Sequence, residues 1–196
     1  MPIEGYWNTK LIHAEARDDL AKFYQRRRRM SLREALAAAE ESPEVISLDS
    51  GWQKNIIVNT NGQLIAALMK SESGYAGIQR LAVGEGASNW NVEANRPTPA
   101  ATVTQLVNEL ARTSVTVTYQ TSGNADTGTI TNRIKVSGRF GTGSGNGTQY
   151  ERGLFGGNAT NTADSGLMIN YDVHGPITKD NSHEQTITIR LQYTAS

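Results

Sequence analysis

Beyond Arg112 the chain alternates apolar and polar residues with a period of two. Val115, Val117 and Tyr119 are interleaved with Ser114, Thr116 and Thr118, and Ile134 and Val136 with Arg133, Lys135 and Ser137. Near the end, Ile187, Ile189, Leu191 and Tyr193 are interleaved with Thr188, Arg190 and Gln192. Successive side chains of a strand point to opposite faces, so this rhythm gives ribbons with one buried and one wetted side, the habit of antiparallel sheets. Turns rich in Gly and Asn separate the ribbons. The expected fold class is mainly β: an antiparallel β-sandwich, jelly-roll-like, with an N-terminal helical arm and one or two short helices.

The arm is expected from a change of chemistry. Residues 1–50 carry eight basic and nine acidic side chains, whereas the whole chain of 196 residues has 19 of each. This stretch is also rich in Ala, Leu, Glu and Arg. The boundary is placed at Pro43 to Gly51, giving a helical or extended arm over 1–50 and a β-sandwich domain over 51–196. Ile12, Ala16, Leu20 and Phe23 form a stripe that predicts a helix from Thr9 to Arg29. Ser31 and Glu34 make a capping box that opens a second helix, ended by Pro43. Both helices are thinly apolar and need a surface to dock on.

Further on, Trp52–Val58 and Ile78–Val83 are expected as strands. Asn61-Gly62 reads as a turn before a short helix, Gln63–Met69. After a loop with Pro97 and Pro99, a helix is expected from Thr102 to Arg112, with Leu106, Val107 and Leu110 facing inward. Gly84 and Gly86 allow the chain to leave its strand sharply.

A search for chemistry returns no catalytic constellation. His13, His174 and His183 lack metal-site spacing, and there is no cysteine to supply a disulfide or a thiolate ligand. Gly141, Gly143, Gly145 and Gly147 lack the Lys-Ser/Thr and helix start of a phosphate loop and read as a hairpin tip. No cofactor or metal is expected, and no enzyme. The opening Met-Pro-Ile-Glu-Gly-Tyr-Trp has neither the basic nor the apolar region of a secretory leader, and no apolar run has the length of a membrane span. Arg26, Arg27, Arg28 and Arg29 are the sharpest charge cluster. With Asp18, Asp19, Glu34, Glu40 and Glu41 expected close by to cancel their field, they read as arm contacts to another subunit, or else as a solvated helix end, rather than as a contact to nucleic acid. Exposed aromatics for a sugar-binding face would be Trp90, Tyr150 and Tyr171.

Several blocks occur in an order that resembles the anchoring domains of tail-collar and tail-fibre proteins of tailed bacteriophages. They are Ile56-Ile57-Val58-Asn59-Thr60, Ile78-Gln79-Arg80-Leu81-Ala82-Val83-Gly84-Glu85-Gly86, Thr104-Gln105-Leu106-Val107-Asn108-Glu109-Leu110-Ala111-Arg112, Tyr150-Glu151-Arg152-Gly153-Leu154-Phe155-Gly156-Gly157 and Pro176-Ile177-Thr178-Lys179. Residues 1–50 have no counterpart in that pattern. Within the matched blocks, Glu109 and Arg112 are expected to pair on one helix face. Glu151, next to the apolar Leu154-Phe155, is expected to enter the core and pair with Arg112, locking helix to sheet.

The resemblance implies a virion structural protein of the tail, collar, neck or fibre anchor, assembled in the host bacterial cytoplasm. Its partners would be capsid, neck or tail subunits and further copies of itself, a trimer on fibre analogy; neither membrane nor nucleic acid is expected. With its end at Ser196, the chain is expected to carry no fibre shaft. The alternatives are a capsid decoration protein stapling adjacent capsomers and a carbohydrate-binding module for host adhesion.

Overall fold

The computed structural model describes residues 3–194. The protein is mainly β: the described residues form an antiparallel sheet of 11 strands curled into a half-barrel, with three α-helices. The strands are β1 (Ile3–His13), β2 (Ile46–Asp49), β3 (Gln53–Lys54), β4 (Ile56–Ile57), β5 (Ala76–Gly84), β6 (Glu109–Gln120), β7 (Asp126–Thr127), β8 (Arg133–Phe140), β9 (Gly147–Gly157), β10 (Leu167–Lys179) and β11 (His183–Tyr193). The helices are α1 (Ala14–Arg28), α2 (Leu32–Glu40) and α3 (Thr60–Met69).

The strand order is β2-β1-β11-β8-β6-β5-β9-β10-β4. The expectation of two facing sheets gives way to one curled sheet because β6 belongs to both halves. Its residues Glu109–Ser114 pair with β5, and Val115–Tyr119 pair with β8. A strand that changes partner along its length turns a corner that a sandwich makes with a loop. Residues 53–57 bridge the far ends of the path: β3 pairs with β1, and β4 pairs with β10.

The expected division into a 1–50 arm and a 51–196 sandwich is therefore corrected. β1 pairs with β11 over its whole length, from Ile3↔Tyr193 to His13↔His183. Trp7 is fully buried in the main core beside Leu81, Val136, Leu154, Ile187 and Ile189. Thr9 to His13, expected as helix, is strand. Within residues 1–50, α1 and α2 form a helical hairpin inserted between the paired strands β1 and β2 and ion-paired to the sheet through Arg17–Glu184 and Glu40–Arg139. Their shared core is small, built on Ala21, Ala35 and Ala39. The Ser31–Glu34 capping box forms as expected, with the Ser31 hydroxyl accepting from the Glu34 amide and the Glu34 carboxylate accepting from the Ser31 amide.

The stretch expected as a helix over Thr102–Arg112 is also corrected. It is loop up to Asn108 and strand β6 thereafter. A long irregular segment, 85–108, lies across the outer side of β9 and β10, where Leu106, Phe155, Met168 and Tyr171 form a second core. This covering explains why β9 is buried on both faces from Glu151 to Gly157. Gly86 takes a left-handed conformation (φ 65°) where the segment leaves β5, with Trp90 packed against its α-carbon; a β-carbon there would fall 1.9 Å from the indole.

Candidate functional site

The polar residues that the sequence singles out converge around β9. Glu151 is fully buried, and its carboxylate accepts from the backbone N–H of Val107 (2.9 and 3.1 Å), the backbone N–H of Asn108 (3.0 Å) and the Tyr171 hydroxyl (2.9 Å). An irregular segment laid over a sheet has amides without ladder partners, and a buried carboxylate satisfies them. Gly84 makes room: a β-carbon there would fall 2.6 Å from Glu151 Oε1. Burial, and then the Glu151 carboxylate, raise the pKa of Tyr171, so its hydroxyl stays a donor.

Arg112 does not pair with Glu151, contrary to expectation. Its Nε donates to Glu109 Oε1 (2.5 Å), its Nη1 to the Ser165 carbonyl (2.8 Å), and its guanidinium lies 4.1 Å from the centre of the Phe155 ring. Glu109 and Arg112 do meet, but on a strand rather than a helix. Three residues along a strand normally face opposite ways. Here Ala111 sits opposite Val83 and Glu109 opposite Gly84, so Leu110 is an extra, bulged residue that restores a common face. Leu154 belongs to the main core and Phe155 to the second one, so consecutive residues serve the two sides of β9.

Sequence reading missed the neighbouring Arg152. It is buried, donating through Nε (2.9 Å) and Nη2 (2.7 Å) to Asp172 Oδ2 and through Nη1 to the Thr9 hydroxyl, with Trp7 4.9 Å away. Burial pushes the Asp172 carboxyl up and the Arg152 guanidinium down, while each charge holds the other ionised. The amide of Asn55, between β3 and β4, donates to the Gly5 carbonyl (2.8 Å) and accepts from Asn170 Nδ2 (2.6 Å) and the Trp7 indole, tying β1 to β10. The adjacency of Arg152 to Glu151 was the available signal; its partner lies 20 residues away on the next strand.

His174, expected in a turn, lies in β10, where the register against β9 slips between Val173 and Ile177. Burial, with the nearby Arg152 and Arg96 charges, pushes its pKa down to about 3. The folded protein thus refuses a proton that the unfolded chain accepts below about pH 6.5. Stability is full above that pH and falls as the pH drops, by up to about 1.4 kcal/mol per pH unit. Chemical denaturation at pH 7 and pH 5 is expected to show this loss, and His174→Gln is expected to remove most of the difference.

The four arm arginines stand at the hairpin tip. Arg26, Arg27 and Arg28 fill the last turn of α1, where cations suit the helix dipole, and Arg29 caps it in a left-handed conformation. All four are exposed. The acids expected to cancel them have other partners: Asp18 pairs with Arg17, Asp19 with Lys22, Glu40 with Arg17 and Arg139, and Glu41 with Lys10, while Glu34 serves the α2 cap. No carboxylate pairs with Arg26–Arg29 among the described residues. Phe23 and Leu32 are each more than half exposed on the same hairpin.

Trp90 and Tyr171, considered as sugar-binding aromatics, are buried, and Tyr150 is half-buried. Among the described residues no helix is long and apolar enough to cross a membrane, and no three His, Asp or Glu side chains form a metal-binding group. No protein-family model and no curated protein matches the chain.

Proposed function

We propose that this protein is a structural subunit of a tailed-bacteriophage virion, in the tail, collar or neck or at a fibre anchor, working by assembly and not by catalysis. The observation that carries an assembly role is the inserted hairpin. A unit with a small core of its own, inserted between β1 and β2, presents Phe23, Leu32 and four exposed arginines that have no carboxylate partner among the described residues. Apolar side chains beside a strong positive charge suit an acidic, partly apolar face on a neighbouring subunit. The placement in a phage particle rests on the resemblance in the motif blocks. A closed ring or trimer of this chain is part of the proposal, since virion parts obey closed symmetry.

The insertion point supplies the test. The His13 N–H donates to the Val45 carbonyl (2.9 Å), so these residues can close a two-residue hairpin. Replacing residues 14–44 by Asn-Gly is expected to leave a folded sheet that no longer enters particles. Arg26–Arg29→Ser in the full-length chain is expected to lower incorporation with little change in melting temperature. Normal incorporation of both variants would overturn the role of the hairpin. Antibody labelling of virions at one vertex agrees with a tail or neck position, and labelling over the whole shell would instead favour a decoration protein.

A further inference from the structure

On the outer face of the sheet, Tyr6 of β1, Arg190 of β11 and Lys135 of β8 stand in one cross-strand row, with Gln192 and Arg133 paired in the next. Trp52, just before β3, lies against Arg190, whose guanidinium is 4.0 Å from the indole centre. Tyr6, Trp52, Arg190, Arg133 and Gln192, with Asn124 from the turn after β6, line a cavity of about 270 Å³. Tyr6 and Trp52 are 37% and 42% exposed.

The charges around this cavity do not balance. Lys54 is matched by Glu4 (3.9 Å) and Lys135 by Asp126 (2.5 Å). Asp126 also acts on Arg190 at a distance, but no carboxylate lies within ion-pair reach of Arg190 or Arg133 among the described residues. Arg190 makes no side-chain hydrogen bond among those residues, and its Nε is buried without a partner. Arg133 makes one to a carbonyl outside its own turn, that of Ser122 (2.9 Å). The side-chain amides of Asn124 and Gln192 are likewise unengaged among the described residues.

We propose that this cavity binds a saccharide unit bearing a carboxylate, of the uronate or sialate kind. Guanidinium forks match the planar carboxylate. The exposed faces of Tyr6 and Trp52 offer rigid apolar surface to the C–H face of a sugar ring, and the free amides offer donors and acceptors to its hydroxyls. The volume lies just below that of a drug-sized site and suits a single ring. Inorganic phosphate would satisfy the guanidiniums and leave the aromatics unused, and a neutral sugar would do the reverse. An extended peptide cannot add here as a strand, because β1, β11 and β8 are already paired on the sides that meet. This proposal is independent of where the protein sits in a particle.

The test is titration of the intact protein with N-acetylneuraminic acid and with galacturonate oligosaccharides, followed by calorimetry and by the Trp52 indole signal in NMR. Their methyl esters, galactose, inorganic phosphate and a poly-glutamate peptide serve as comparisons. At least one carboxylated sugar is expected to bind, at least tenfold more tightly than its ester. Arg190→Gln, Arg133→Gln and Trp52→Leu are each expected to weaken it at least tenfold with the melting temperature retained. Arg133→Gln keeps the test informative if variants at the Arg190–Trp52 stack unfold. The proposal is overturned if no carboxylated sugar binds, if ester and acid bind alike, if phosphate or the peptide binds as tightly as the sugar, or if Arg133→Gln binds unchanged.

Discussion

Asp172→Asn is expected to lower stability by about 3–5 kcal/mol, because it leaves the Arg152 guanidinium buried without its counter-charge. For a chain of this size that corresponds to a fall in melting temperature of roughly 6–20 °C. Arg152 is 1% exposed and Asp172 6%, so water cannot take over the lost interaction in the folded state. The double variant Arg152→Met/Asp172→Leu is expected to recover most of the loss, since exchanging a whole buried ion pair for apolar groups of similar volume is often neutral. Urea denaturation of the single and double variants checks both results. An Asp172→Asn protein within about 1 kcal/mol of wild type would show that the pair is not desolvated as described.

Glu151→Ala is expected to act on a different part of the fold. It removes the acceptor for the Val107 and Asn108 amides and for the Tyr171 hydroxyl together. Buried donors left unsatisfied cost about 1–3 kcal/mol each, so a total loss of about 3 kcal/mol or more is expected. The effect should appear first as faster hydrogen exchange at Val107 and Asn108, with segment 85–108 loosening before the sheet opens. Glu151→Gln is expected to be much milder, because one amide oxygen still faces both backbone N–H groups and the Tyr171 oxygen can accept from the new NH2. Unchanged exchange at Val107 and Asn108 in Glu151→Ala would remove the anchoring role.

Sequence reading succeeded where one face of an element is buried and the period is clean. β8 and β11 follow from their alternation, α2 from its capping box, and the burial of Glu151 from the Leu154-Phe155 that follows it. β1 is hard to read from sequence because its inward positions are Gly5, Trp7, Thr9 and Leu11. Only two of these are strongly apolar, so the strand period is faint, while the spacing from Ile12 to Phe23 imitates a helix across a real boundary. β6 is obscured for a related reason. Its first half carries Glu109 and Arg112 at helical spacing, and the bulge at Leu110 that lets them meet on a strand leaves no mark in composition. The partner of Glu151 could not be found among side chains, because it consists mainly of backbone amides. The outer cavity was equally hidden: Trp52 and Arg190 meet only because β3 pairs with β1 and β1 with β11.

The pairing of β1 with β11 sets an order of events during synthesis. The second strand to leave the ribosome, β2, can meet β1 early, with the helical hairpin between them. The other edge of β1 must wait until nearly all of the described chain has emerged. Contacts between such distant segments are slow to form because a long loop must close first. Throughout that interval Trp7 lacks its shelter and an unpaired edge is open to other chains. Crowding of nascent copies is therefore most dangerous before β11 docks, and anything that shields β1 until then protects the chain.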